Sequence, residues 1–198
     1  PTALACAADG AAVAVNALSS RAEGEALVKE IRDAGGQAGL FIANIADGAA
    51  VQSMVADIVG QFGRMDMLVL NASNRRNHPF LEMSFEQWRS VLSLHLDGAF
   101  HCIKNCLPHM IKAGGGNIVI LGGSGTLAGS AKRVHGSAAK QGLVGMMRAM
   151  AKELAPYGIR VNCVSPGPIE TERPAALGPK SSAKVLLGRL GQPGDIAA

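Results

Sequence analysis

Aromatic side chains are scarce in this sequence. Only 4% of its 198 residues are Phe, Trp or Tyr, with a single Trp and a single Tyr, so it lacks the stacking platforms on which proteins hold single-stranded nucleic acid. The 19 Lys and Arg residues exceed the 15 Asp and Glu residues and give a net charge of +4, yet no run of five or more basic residues occurs. We therefore predict no nucleic-acid partner, and we expect the positive charge to serve an anionic cofactor or small-molecule substrate.

Long apolar runs and a disulfide pattern are missing too. No apolar stretch reaches the 18 or so residues of a membrane-spanning helix, and no signal-peptide pattern is visible, so no membrane partner is expected. The four cysteines fit no disulfide framework, which indicates a reducing, cytoplasmic location. Cys102, Cys106 and His109 could share one helix face, but they lie among apolar residues. We interpret them as core residues and predict no metal site.

Short apolar runs alternate with helical patterns along the chain. The runs are nearly continuous, as in parallel strands that are covered on both faces. This alternation predicts one α/β domain over residues 1–198, a doubly wound parallel sheet in a three-layer, Rossmann-like arrangement. The predicted strands are 11–16, 38–44, 66–73, 116–123 and 158–165, and the predicted helices are 19–34, 47–63, 84–112 and 137–156.

The two ends of the sequence differ from the rest. "PTALACAADG" is typical of the second half of a helix with no strand before it, and "GQPGDIAA" starts a further helix. In a nucleotide-binding sheet the first strand lies centrally, and without it the strands at 11–16 and 66–70 would face an empty slot with unpaired backbone groups. We expect a first strand with its glycine-rich turn, and a C-terminal strand, beyond the given residues.

Four motifs together resemble one family. They are "DMLVLNAS" (66–73), "AAKQGLVGMMRAMAKELAPYGIRVN" (138–162), "GIRVNCVSPGPIETE" (158–172) and "GRLGQPGDIAA" (188–198). In this order and spacing the chain resembles the short-chain dehydrogenase/reductase family over essentially its whole length. The resemblance implies an oxidoreductase that binds NAD or NADP at the carboxyl ends of the strands and passes a hydride between the cofactor and a small alcohol or carbonyl compound. It also implies a homo-oligomer, a dimer or tetramer, joined through the helices at 84–112 and 137–156.

The same resemblance assigns residues to the cofactor. Asn16 ends the second strand, where an acid would favour NAD, and Ser19, Ser20 and Arg21 follow it. A neutral residue tolerates a 2′-phosphate, so we expect NADP and leave NAD open; either serine could instead cap the next helix. The positions assigned to the cofactor are Asn16, Asn44, Asn71, Ala72, Ser73, Lys140, Pro166, Gly167, Ile169 and Thr171.

The family's reaction needs four groups, and three of them are changed here. They are a tyrosine that moves the proton, a lysine four residues later, a serine thirteen residues before the tyrosine, and an asparagine on the preceding long helix. Lys140 matches the lysine. The other three positions hold Gly136, Gly123 and His95. A glycine offers only its backbone N–H, which is no general acid.

Other residues could replace the missing groups. His135 has a suitable intrinsic pKa, although it lies about 140° around a regular helix from Lys140. Ser137 lies on a nearer face, but we interpret it first as a helix N-cap. Ser124 could reach the site if "GGSG" bulges by one residue. His95 is interpreted as a buried structural histidine, with a water link to Lys140 as the alternative.

Two functions remain open from the sequence. One is an NAD(P)-dependent oxidoreductase with an altered active site, acting on a carbonyl, an alcohol or an enoyl-type substrate; some relatives without the tyrosine reduce conjugated C=C systems. The other is an inactive dinucleotide-binding protein that serves as a sensor or partner subunit. We expect residues 166–188 to form the loop that covers the substrate.

Overall fold

Helices and parallel strands alternate along the chain. The computed structural model describes residues 1–126, 128–171 and 185–197. Every predicted strand is present with slightly different ends, and the chain has the three-layer α/β, Rossmann-like fold. The strands are β1 (Val13–Ala17), β2 (Ala38–Ile42), β3 (Met67–Leu70), β4 (Gly116–Leu121) and β5 (Ile159–Val164), and the helices are α1 (Thr2–Ala8), α2 (Arg21–Asp33), α3 (Gly48–Phe62), α4 (Phe85–Leu92), α5 (Gly98–Lys112), α6 (Val134–Glu153) and α7 (Gly194–Ala197).

The strands form two separate parallel sheets. β1 pairs with β2, and β4 pairs with β3 on one side and β5 on the other. Among the described residues, β1 and β3 are not hydrogen-bonded to each other. All pairs are parallel, so the carboxyl ends of β3, β4 and β5 lie at one edge of their sheet. That edge is where an open α/β sheet places its ligand.

Two predicted helices differ from the sequence interpretation. The predicted helix 84–112 is continuous but contains a π-helical turn at Ser93–Asp97, which separates α4 from α5. The predicted helix 137–156 begins earlier, at Val134, and ends at Glu153. Apolar periodicity shows which face is buried, but it does not show where the hydrogen-bonded turns start or widen.

Local capping explains several helix ends. The Asp47 carboxylate accepts hydrogen bonds from the backbone N–H groups of Ala49 and Ala50 at the start of α3, and Gly63 ends that helix with φ +78°. Ser84 and Gln87 form a reciprocal capping box at the start of α4. These contacts satisfy backbone groups that a helix leaves unpaired at its ends.

One main core lies between β4 and the helices around it. Ile118 and Ile120 of β4 are fully buried because β4 is the middle strand of its sheet. Met110 of α5 and Val51 of α3 pack in the same cluster. A smaller cluster centred on Val28, Ile31 and Ala38 joins α2 to β1 and β2. Within the described ranges, no helix is long and apolar enough to cross a membrane.

Gly115 provides a test of this packing. It has φ +141°, and a Cβ there would lie 2.6 Å from the carbonyl oxygen of Gly158. We expect Gly115→Ala to lower the free energy of unfolding by about 2–4 kcal/mol, because the backbone must change conformation and the loop must separate from Gly158. Urea unfolding followed by circular dichroism measures this change.

Gly60 is the matched control for that substitution. It lies within α3 at a negative φ with open space around its Cβ position. Gly60→Ala should raise stability by up to about 1 kcal/mol, because alanine is the better helix former. Equal losses in both variants would show that the approach of Gly115 to Gly158 is not the cause.

Candidate active site

Lys140 is a buried cation at the carboxyl end of β4. Its side chain is only 9% exposed, and its ammonium donates a hydrogen bond to the backbone carbonyl of Leu121, the last residue of that strand. Burial lowers the pKa of Lys140 to about 8, and the nearby charges of Arg75 and Arg133 lower it further. A protonated lysine is therefore costly here unless a ligand adds acceptors or negative charge.

The first turns of α6 present Arg133, Gly136, Ser137 and Lys140 on one face. Arg133 is the N-cap residue of α6, and the spacings of three, four and seven residues place the four along one side of the helix. Gly136 has no side chain, so a gap separates the Arg133 guanidinium from the Lys140 ammonium. We call this gap the Gly136 notch.

The two glycines at the family's tyrosine and serine positions differ in their surroundings. A Cβ on Gly136 would lie 3.7 Å from Nη2 and 3.9 Å from Nε of Arg133, which is ordinary contact. A Cβ on Gly123 would meet no atom within 4 Å. Neither position is therefore closed to a small side chain, but a tyrosine ring at 136 would meet the arginine.

His135 is buried beside this face rather than on it. It is 1% exposed, and α6 is regular from Val134 onward, so its side chain points away from that of Lys140. Its Nδ1 accepts a hydrogen bond of 2.8 Å from the Gly136 N–H, and its ring meets His78 edge to face at 5.5 Å. Burial lowers the pKa of His135, as do the neighbouring charges of His78 and Arg133. The imidazole is thus neutral at pH 7, with its proton on Nε2.

Ser137 is not the helix N-cap. It lies in the first turn of α6, where its backbone N–H donates to the Arg133 carbonyl at 2.9 Å. The N-cap interpretation was wrong because the helix begins three residues earlier. Its Oγ is buried without a hydrogen-bond partner, and the same holds for Nε of Arg133 and Nε2 of His135. Three polar groups within five residues therefore lack partners at one helix start.

His95 lies in the π-helical turn that precedes α5. It is 4% exposed, and burial lowers its pKa to about 4, with further contributions from the charges of Lys140, Arg133 and His135. The imidazole is therefore neutral at pH 7. Its burial agrees with the structural interpretation, and its electrostatic coupling to Lys140 places it beside the same site.

Sequence reasoning missed the cluster of cations at this site. Arg75 and Arg133 were treated as scattered basic residues, whereas Arg75 lies close enough to lower the pKa of both Arg133 and Lys140. The periodicity of α6 could have identified Arg133, seven residues before Lys140. Arg75 follows β3 in an irregular segment, and no spacing rule connects it to α6.

Asn16 and Asn44 lie at the ends of β1 and β2. The Asn16 side-chain amide donates to the backbone carbonyls of Phe41 and Ala43, each at 3.1 Å. The Asn44 side-chain oxygen accepts from the Ala46 N–H at 3.0 Å. Ser20 precedes α2 as its N-cap residue but makes no side-chain capping bond. The capping alternative for Ser20 is therefore wrong.

The remaining predicted residues follow the carboxyl ends of β3, β4 and β5. Asn71, Ala72 and Ser73 are exposed after β3. Ser124 is exposed in a short 3₁₀ turn, and its N–H donates to the Pro166 carbonyl at 3.0 Å. The loops after β4 and β5 thus meet at the sheet edge that also holds Lys140.

The segment after Pro166 is only partly described. Gly167 is exposed, and Ile169 forms an isolated parallel bridge with Gly191. Thr171 is exposed next to the last described residue of this stretch. Residues 172–184 of the predicted substrate loop lie outside the described residues.

The cysteines of α5 belong to the core. Cys102 and Cys106 are buried in the main cluster, and burial raises the pKa of their thiols to about 11 and about 12. They are protonated thiols at neutral pH. The described part of the chain contains no group of three or more His, Cys, Asp or Glu side chains placed to hold a metal ion.

Comparisons with known proteins agree with the motifs. A model of the short chain dehydrogenase family matches residues 1–181. A 3-oxoacyl-[acyl-carrier-protein] reductase of Staphylococcus aureus is 36% identical over 98% of this chain and 81% of its own length. The Synechocystis enzyme of the same name is 36% identical over 99% and 80% of the two chains, and that of Thermotoga maritima is 34% identical over 87% and 72%.

Proposed function

Because the chain belongs to the short-chain dehydrogenase family, we propose that it is an NAD(P)-dependent oxidoreductase that reduces a carbonyl group at an altered active site. The observation that carries this proposal is the buried Lys140 ammonium at the carboxyl end of β4, beside the unpartnered Ser137 hydroxyl. The 3-oxoacyl-[acyl-carrier-protein] reductases among the relatives favour a carbonyl over an enoyl substrate.

The carboxyl edge of the strands suits a dinucleotide. Small, exposed residues follow β3, and the backbone at Gly123 has open space beside it, so a ligand can approach both strands closely. Lys140 would hold the ribose next to the nicotinamide, and the segment from Pro166 to Thr171 would contact the nicotinamide itself. A reduced nicotinamide dinucleotide, when bound, supplies the hydride.

Lys140 and Ser137 would together manage the proton. A lysine with a pKa near 8 is a competent acid at neutral pH. Ser137 lies three residues before it on the same face, and its free hydroxyl can bond the substrate oxygen and receive a proton from Lys140. As hydride adds to the carbonyl carbon, the C=O π pair moves to oxygen, which takes the serine proton. Lys140 restores that proton, and an alcohol results.

Two other candidate groups fit supporting roles. His135 is neutral and buried at pH 7, so we assign it a hydrogen bond from Nε2 rather than proton transfer. Ser124 is exposed at the edge of the loops after β4 and β5, where it would contact the substrate.

NADP is the proposed form of the cofactor. The end of β1 carries Asn16, whose amide is held by the carbonyls of Phe41 and Ala43, and no carboxylate occupies that position to repel a 2′-phosphate. The hydroxyls of Ser19 and Ser20 are exposed beside it, and Arg21 adds a positive charge. These groups can bond a phosphate.

The experiment has two stages, on the full-length gene product. Fluorescence titration with NADPH and NADH measures binding, and NADPH oxidation is then followed with 3-oxoacyl thioesters and 2,4-dienoyl thioesters. We expect tighter NADPH binding, and turnover of the 3-oxoacyl compounds. Ser137→Ala should lower kcat by roughly 10²-fold with NADPH affinity unchanged, the size typical of losing one proton-transfer group.

An inactive dinucleotide-binding protein is the second candidate. The glycines at positions 123 and 136 favour it, because neither can donate a side-chain proton. NADPH binding without turnover of any tested substrate would establish this alternative. A lack of binding would contradict both proposals.

We also propose a homo-oligomer built on α5. Phe100 and Ile111 are largely exposed, and their spacing of eleven residues places them on one face of that helix. Exposed apolar side chains on one helix face are typical of a subunit interface. Sedimentation equilibrium should show a species of two or four chains.

A further inference from the structure

Three unsatisfied hydrogen-bond donors surround the Gly136 notch. Nε of Arg133 and Nε2 of His135 are N–H donors, and the Ser137 hydroxyl is a third; all three are buried without a partner. His135 is almost completely buried, and its Nδ1 accepts from the Gly136 N–H, which leaves its proton on Nε2. A buried donor without an acceptor costs about 1–3 kcal/mol, so this site lacks oxygen acceptors.

Positive charge converges on the same place. The Arg133 guanidinium lies within 4 Å of the position of a Cβ on Gly136, Lys140 follows one turn later, and Arg75 is close to both cations. The described ion pairs include none of these three cations. An anion in the notch would offset the mutual repulsion of the cations.

We propose that the Gly136 notch binds a carboxylate of the substrate, so that the carbonyl compound reduced here is an oxo acid rather than a neutral ketone. This proposal rests on the proposed function for its reaction, but anion binding itself does not depend on turnover. The Arg133 guanidinium presents the planar fork that matches a carboxylate, and the backbone N–H groups at the start of α6 add to the attraction. The absence of a side chain at position 136 leaves room for the anion between Arg133 and Lys140.

The kinetic test compares a charged substrate with its neutral ester. The probes are 4-oxopentanoate and methyl 4-oxopentanoate, which share a carbon chain and a carbonyl group. We expect Arg133→Gln to reduce kcat/KM for the acid at least 30-fold and for the ester less than 3-fold. Arg76→Gln is the control, because Arg76 is exposed nearby and its replacement changes the charge equally. Equal losses for acid and ester would overturn the proposal.

A binding test separates this inference from the proposed function. Butanoate has a carboxylate but no reducible carbonyl, and we expect it to raise the melting temperature of the wild-type protein at low ionic strength, but not that of Arg133→Gln. This shift without turnover of any carbonyl substrate would refute the proposed function and retain the anion site. Turnover with no shift would do the reverse. A larger shift with inorganic phosphate would identify a phosphate site and contradict the carboxylate assignment.

Filling the notch from within provides an independent check. Gly136→Asp places a carboxylate next to Arg133, whereas Gly136→Asn has the same volume without the charge. We expect the Asp variant to melt at a higher temperature than the Asn variant and to lose its response to butanoate. Part of that difference comes from the helix N-terminus, so the comparison is repeated with Arg133→Gln. The Asp advantage should then fall by more than half, and an unchanged advantage would contradict a role for Arg133.

Discussion

Lys140→Met is expected to abolish turnover while making the protein more stable. Loss of the proton source should reduce kcat by roughly 10³-fold. The shift of the Lys140 pKa from 10.5 to about 8 corresponds to about 3 kcal/mol of native-state cost. A methionine avoids this cost but leaves the Leu121 carbonyl without its donor, which returns about 1–2 kcal/mol. We therefore expect a net gain of about 1–2 kcal/mol in the free energy of unfolding at pH 7.

The sign of this effect depends on pH. The unfolded lysine binds its proton up to about pH 10.5, whereas the folded lysine releases it near pH 8. The penalty is therefore complete below pH 8 and disappears as the pH rises from 8 to 10.5. Chemical unfolding at pH 7 and pH 10 should show that the advantage of Lys140→Met shrinks at the higher pH. The same protonation should make wild-type kcat fall above pH 8.

Lys152→Met is the matched control for this prediction. Lys152 is exposed near the end of α6, and its replacement should change stability by less than about 0.5 kcal/mol. If Lys140→Met were as destabilising as a typical core substitution, the hydrogen bond to Leu121 would outweigh the burial of charge. Undiminished turnover would exclude Lys140 as the proton source.

Restoring the family's two side chains should increase carbonyl reduction. The variant Gly123→Ser/Gly136→Tyr supplies a hydroxyl at each altered position. We expect kcat/KM for a neutral 3-oxoacyl thioester to rise by roughly 10²-fold, the contribution of one well-placed acid. Gly123 has open space for the serine, but the tyrosine ring must displace Arg133, so the gain should be larger when Arg133→Ala is added.

Gly123→Ser/Gly136→Phe provides the comparison. It fills the same volume and displaces the same guanidinium without supplying a phenol. A rate equal to that of the tyrosine variant would show that packing, and not proton transfer, limits the reaction. Steady-state kinetics across pH 6–10 distinguish the two, because the tyrosine variant should also gain a new ionisation.

Much of the fold could be predicted because its signals are local. Apolar runs located the strands, and glycines located the ends of several helices, including Gly63 after α3. The site was predictable only where a residue type sufficed, as with Lys140. The N-terminus of α6 was misplaced by three residues because Ser137 resembles an N-cap, whereas Arg133 begins the helix without a side-chain cap.

The remainder of the site depends on contacts between distant segments. Arg75 and His78 lie between β3 and α4, and their proximity to Arg133 and His135 follows from tertiary packing alone. Burial of His95 could be anticipated from periodicity, but its neighbourhood of cations could not. Sequence spacing describes a single element, whereas electrostatic coupling needs the assembled fold.

The division of the strands into two sheets affects how the chain loses structure. The β1–β2 sheet has its own small apolar cluster, and its main connection to the rest is made by side chains, through contacts of α3 with both β2 and α5. Backbone hydrogen bonds join strands within each half but not the halves themselves. Unfolding of the described chain is therefore expected to be incompletely cooperative, with the β1–α2–β2 unit opening at a lower free energy than the unit around β4.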